Sequence, residues 1–79
     1  MAKIEDADIS NVLKQFGKNV QTIRTKKNIS IKQLAEKTGI SEKYLLKIEK
    51  GEAIGVSTMH LLNIAEGLAV NVCDLVISL

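Results

Sequence analysis

Two short helical segments joined by a tight turn constrain the fold of this chain more than any other feature. Residues 30–51 hold two segments with helical patterning, the first starting at Ser30 and the second at Ser41. Serine is a good helix N-cap, and a glutamine three residues after Ser30 gives the form of a capping box. Gly39 can end the first helix in a left-handed conformation, and Gly51 can stop the second. The pattern predicts two helices that cross at a tight turn, so that the second can project from the body.

Apolar residues at helical spacing predict three more helices around this pair. Helix 1 is expected to start after Asp8 or Ser10, helix 4 at Ser57 and helix 5 at Asn71. The chain has no proline. We therefore expect an all-α fold, with residues 1–8 as an N-terminal extension and residues 9–79 as one domain. The predicted apolar stripe of helix 1 consists of Ile9, Val12, Leu13, Phe16, Val20 and Ile23.

The charge is distributed unevenly along the chain. The chain has a net charge of +2, but residues 9–50 contain ten basic and three acidic side chains, a net charge of +7. The flanking residues 1–8 and 51–79 carry −2 and −3. A basic block between acidic ends can attract phosphate groups. A solvated lysine-rich face with no partner would give the same count.

Other function classes find little support in the sequence. No apolar run approaches the ~20 residues of a membrane helix, and the first residues do not form a signal peptide pattern. Cys73 is the only cysteine and His60 the only histidine. We expect a buried Cys73, an exposed His60, no metal and no cofactor. No nucleophile–base pair or carboxylate cluster indicates an enzyme. A single cysteine suits a reducing cytoplasm.

The stretch from Phe16 to Val76 resembles the phage repressor/Cro family of helix-turn-helix domains, also called the XRE family. The residues that carry the resemblance are Ile23-Arg24, Ile29-Ser30, 34–41, Tyr44-Leu45, 47–51 and 61–65. The resemblance implies a compact five-helix, lambda-repressor-like fold. It also implies a bacterial or phage-encoded transcriptional regulator whose third helix enters the major groove of double-stranded DNA.

The resemblance further implies roles for individual residues. Lys43 and Lys47 are expected to donate to guanine, and Glu42 to accept from cytosine. Arg24 and Glu49 match a family ion pair between helices 1 and 3, for which we expect a structural role. The remaining expected DNA contacts, mostly to phosphate, are Ser30, Lys32, Ser41, Tyr44 and Lys50.

A homodimer is expected because so small a core gains from a second subunit. The apolar end of the chain carries no charge after Asp74. The predicted dimer surface is formed by Val72, Val76, Ile77 and Leu79. A repressor or autoregulator that binds a palindromic operator is the leading hypothesis.

A protein-interaction module on the same fold is the alternative hypothesis. Ile31 stands where the family usually has glutamine, and Leu46 where it has a small or polar residue. Together they could form an apolar patch where DNA should lie. Such a module would be an antitoxin or anti-repressor with weak or no DNA binding, and its partner would be a toxin or a co-regulator.

Overall fold

The computed structural model describes residues 6–53 and 56–76, with the backbone alone for residues 6–10 and 76. These residues form five α-helices and no strand: α1 (Asp6–Lys26), α2 (Ile31–Thr38), α3 (Glu42–Glu49), α4 (Thr58–Leu68) and α5 (Val72–Val76). The predicted all-α, five-helix fold is confirmed.

Helix α1 begins earlier than the sequence indicated. It already includes Asp6, so Asp8 and Ser10 lie inside the helix and do not cap it. A cap residue signals a helix start only where the chain before it leaves the helix. After Lys26 the chain turns at Asn28, which has a positive φ of 57°. The boundary between an extension (1–8) and the domain (9–79) stays a prediction.

The two helices of the central unit are capped as the sequence predicts. The Ser30 hydroxyl accepts from the Gln33 backbone N–H at 3.0 Å, and the Gln33 side chain accepts from the Ser30 N–H at 2.8 Å. This reciprocal pair is a complete capping box. Gly39 then ends α2 with φ 73°. The Ser41 hydroxyl accepts from the Tyr44 N–H at 3.2 Å and starts α3.

The last two helices start at the predicted positions, but the cap of α5 differs from the prediction. The Ser57 hydroxyl accepts from the His60 N–H at 3.2 Å, as expected for the N-cap of α4. At α5 the Asp74 carboxylate accepts from the Asn71 backbone N–H at 3.2 Å. The side chain that caps this turn thus comes from Asp74, whereas we expected it from Asn71.

The core lies where α1 packs against α3 and α5, and where α2 packs against α3 and α4. Every helix from α1 to α5 contributes to it. The buried apolar residues are Phe16, Val20, Leu34, Ile40, Leu45, Ile48, Ala53, Ile64, Ala65, Leu68 and Leu75. This core fixes the orientation of α3, which carries the candidate site.

Three side chains do not lie where the sequence placed them. Val12 belongs to the predicted stripe but is 66% exposed. It borders an open groove and does not fill it, with Leu13, Phe16 and Leu61 among the other lining residues. Cys73 is exposed, contrary to the expectation of burial. Helical spacing alone could not show how far the neighbouring helices cover α1 and α5. The third is His60, which is half-buried beside Tyr44.

Replacing Ala69 with glycine is expected to stabilise the protein by about 1 kcal/mol. Ala69 ends α4 in the left-handed conformation, with φ 57° and ψ 43°, where a Cβ atom is unfavourable. Urea denaturation of the variant should show a higher midpoint. Ala35→Gly, within α2, should lower it by about 1 kcal/mol. A midpoint that also falls in Ala69→Gly would contradict the left-handed cap.

Candidate nucleic-acid interface

Helix α3 presents a charged outer face to solvent. Glu42, Lys43 and Lys47 are exposed, and so is Lys50 directly after the helix. Among them lies Leu46, which is 44% exposed. The structure therefore brings together on one surface Glu42, Lys43 and Lys47, which are expected to meet base edges. Lys50, an expected phosphate contact, lies on the same surface.

The inner face of α3 is anchored in the core. Leu45 is fully buried and Ile48 is 1% exposed. Both side chains belong to the same core cluster as Leu34 of α2 and Val20 of α1. Burying a leucine or isoleucine side chain contributes roughly 1.5–3 kcal/mol, so these two residues hold the helix firmly against the body. The outer face is thus fixed in position without using any of its own side chains.

An ion pair between Arg24 and Glu49 provides the second anchor. The Arg24 Nε donates to Glu49 Oε2 at 2.6 Å, and its Nη2 donates to Oε1 at 3.2 Å. The other guanidinium nitrogen donates to the Ile29 carbonyl at 2.8 Å. The side chains of Arg24 and Glu49 are only 13% and 4% exposed. Arg24 therefore ties α1, the chain before α2 and the end of α3 together.

Gly17 is a structural residue of the site that the sequence reasoning missed. It is buried on α1, where a Cβ atom would overlap the Ile48 carbonyl oxygen and lie 2.8 Å from the Glu49 carbonyl oxygen. The absence of a side chain thus lets the end of α3 approach α1 closely. A glycine inside a strongly patterned helix was the available signal, since glycine is disfavoured there unless packing requires it.

Tyr44 packs at the side of α3 and not on its outer face. It is half-buried against the core, and its ring lies 5.2 Å from the His60 ring between centroids, at an interplanar angle of 57°. His60 is also half-buried, so the expectation of an exposed histidine is wrong. Its Nδ1 atom is buried and has no hydrogen-bond partner among the described residues. The first turn of α4 therefore supports α3 through this ring contact.

The first turns of α2 and α3 hold other side chains that are expected to contact phosphate. Ser30 and Lys32 are exposed at the first turn of α2, and Ser41 is exposed at the start of α3. Each serine hydroxyl accepts a capping bond, which leaves its hydrogen free to be donated. Helix N-termini also offer backbone N–H groups to anions.

The predicted dimer surface falls only partly within the described residues. Val72 is half-buried and packs against the core. The backbone of Val76 belongs to α5. Ile77 and Leu79 lie outside the described residues.

The described part of the chain contains no group of three or more His, Cys, Asp or Glu side chains that could hold a metal ion. None of its helices is both long and apolar enough to cross a membrane.

A capped pair of short helices, with the second anchored inward and charged outward, defines the helix-turn-helix class of DNA-binding domain. The chain belongs to the helix-turn-helix family of the Cro/C1 (XRE) type, whose family model matches residues 20–75. The proteins of this family are DNA-binding transcriptional regulators, and the chain is of this kind.

Solved structures with the same fold include a restriction-modification controller protein and a clp gene regulator. The restriction-modification controller protein C.AhdI from Aeromonas hydrophila is 30% identical, with a TM-score of 0.76 over 80% of this chain and 94% of that chain. The clp gene regulator ClgR from C. glutamicum is 26% identical, with a TM-score of 0.76 over 81% of this chain and 82% of that chain.

A third structure supports the fold alone. The hypothetical transcription factor NHTF from Neisseria is 19% identical, with a TM-score of 0.78 over 98% of this chain and 85% of that chain. No curated protein sequence matches the chain.

Proposed function

We propose that this protein is a sequence-specific repressor or autoregulator that binds a palindromic DNA operator as a homodimer. The observation that carries the proposal is the outer face of α3, where Lys43 and Lys47 are exposed on a helix held by the buried Leu45 and Ile48. The names of its structural relatives, a controller protein and a gene regulator, support a role in regulation. Because its ligand is DNA, we place its action in the cytoplasm.

Each charged side chain of this surface has a proposed partner on the DNA. Lys43 and Lys47 donate to the O6 and N7 atoms of guanine, and Glu42 accepts from the N4 amino group of cytosine. The phosphate backbone is contacted through Ser41 and Lys50, and near α2 through Ser30 and Lys32. Tyr44 is half-buried, so only its hydroxyl end is proposed to reach a phosphate.

Dimerisation is proposed through α5 and the residues after it, namely Val72, Val76, Ile77 and Leu79. A two-fold axis would place the two copies of α3 about one helical turn of DNA apart. Equilibrium sedimentation that shows only monomer at high protein concentration would remove this part of the proposal.

Selection from a pool of random DNA duplexes tests the proposed function. We expect enriched sequences with two-fold symmetry, and an affinity that falls steeply with salt because phosphate contacts release counterions. If selection at low salt enriches no sequence, the protein does not read DNA. That result would favour the protein-interaction module, whose partner would be a toxin or a co-regulator.

Replacing Lys47 with alanine is expected to weaken operator binding by about 1–3 kcal/mol and to relax the preference for guanine at one position of each half-site. Fluorescence anisotropy against the selected operator and its single-base variants measures both effects.

Lys37→Ala is the matched control for this prediction, since it removes the same charge. Lys37 is exposed on α2, and its Cβ atom lies next to Gly67 of α4, a helix that carries none of the proposed DNA contacts. It should lower affinity slightly and equally for all sequences. An unchanged base preference in Lys47→Ala would rule out Lys47 as a reader of bases.

A further inference from the structure

Leu46 is an apolar side chain in the middle of a charged surface. It lies one turn after Glu42 and one turn before Lys50, with Lys43 and Lys47 beside it. At 44% exposure it is the one large apolar residue of α3 that the structure leaves open to water. The other large exposed apolar residues of the described chain, Val12, Met59 and Leu62, lie on α1 and α4.

The structure does not support an apolar patch that joins Leu46 to Ile31. Ile31 is half-buried and packs against the core cluster. The neighbours of Leu46 on the outer face of α3 are charged and exposed. A single leucine ringed by charges is too small an apolar area for a protein interface, which needs a contiguous patch of several hundred Å². The partner of Leu46 must therefore present a small apolar group within a polar and anionic surface.

Major-groove DNA presents such a group. The 5-methyl group of thymine is the apolar group that the edges of the base pairs display in this groove, and it lies among hydrogen-bond donors and acceptors. A leucine flanked by lysines can bury this methyl group while the lysines contact neighbouring bases or phosphates.

We infer that Leu46 reads the 5-methyl group of one thymine in each operator half-site, within about one base pair of the guanine contacted by Lys47. This inference rests on the proposed function, because it requires that α3 enter the major groove. It makes Leu46 a specificity-determining residue, although leucine offers no hydrogen bond to a base.

Replacing single thymines of the selected operator by deoxyuridine tests the inference, because this change removes only the methyl group. For the wild-type protein, deoxyuridine at one position of a half-site should weaken binding about fourfold, the factor that corresponds to one buried methyl group. Leu46→Ala should bind the thymine and deoxyuridine operators equally. Leu46→Gln, a polar side chain of similar length, should behave in the same way.

Leu62→Ala is the matched control. Leu62 has nearly the same exposed fraction as Leu46, 47% against 44%, but it lies on α4. Whatever its affinity, this variant should keep the fourfold difference between thymine and deoxyuridine. Unchanged thermal unfolding of Leu46→Ala, read by circular dichroism, confirms that the variant is folded.

Two results would overturn the role of Leu46 while the proposed function stands. One is an operator whose half-sites contain no thymine that is sensitive to deoxyuridine. The other is a fourfold loss that persists in Leu46→Ala, since the methyl group would then be read by another residue. If the random-duplex selection itself enriches nothing, the proposed function has failed, and this failure appears before any thymine is replaced.

Discussion

Replacing Arg24 with alanine is expected to reduce the free energy of unfolding by about 3–5 kcal/mol, because it leaves the buried carboxylate of Glu49 without its partner. The Glu49 side chain is only 4% exposed, so water can compensate little of the loss. The Ile29 carbonyl also loses its hydrogen bond from the guanidinium. A small domain has only about 5–15 kcal/mol of stability in total, so the variant should lose a large share of it.

Urea denaturation followed by circular dichroism measures this effect, with Lys18→Ala as the control. Lys18 is exposed on the same helix, and its removal should change stability by less than about 0.5 kcal/mol. The double variant Arg24→Met with Glu49→Leu removes both charges and should recover much of the lost stability. A loss in Arg24→Ala no larger than that in Lys18→Ala would show that the ion pair is not buried.

Replacing Gly17 with alanine is expected to cost about 3 kcal/mol, at the upper end of what overpacking causes. The added Cβ atom would overlap the Ile48 carbonyl oxygen and lie 2.9 Å from the Glu49 carbonyl carbon. These are backbone atoms at the end of α3, and they cannot rotate away as a side chain can. The helix must move as a whole, so DNA binding should fall together with stability.

Gly39→Ala separates this steric effect from the general effect of replacing a glycine. A Cβ atom at Gly39 meets nothing within 4 Å, and the cost comes only from its φ of +73°. We expect a loss of about 1 kcal/mol there. If Gly17→Ala proved milder than Gly39→Ala in the same denaturation experiment, the close approach of α1 and α3 would be wrong.

Local chemistry explains which parts of the fold were predictable. The caps at Ser30, Ser41 and Ser57 and the left-handed turn at Gly39 depend on residues within four positions of each other. Sequence patterns at such short range predict them directly. The Arg24–Glu49 pair spans 25 residues, and only the family resemblance indicated it.

Features that depend on how the helices cover each other were not predictable in the same way. Val12 and Cys73 have the spacing or character of buried residues, yet no neighbouring helix covers them enough to exclude water. The ring contact of Tyr44 with His60 joins α3 to α4, and no local sequence pattern predicts how these two helices pack against each other. Gly17 was visible in the sequence, but its role required the position of the α3 backbone.

The separation between the two sides of α3 has a consequence for evolution and for engineering. The side chains that hold this helix in place, Leu45, Ile48 and Glu49, are different residues from those that face outward. Exchanging Glu42, Lys43, Leu46 and Lys47 should therefore retarget the protein to new sequences while the scaffold stays intact. A library randomised at these four positions alone should yield mostly folded members.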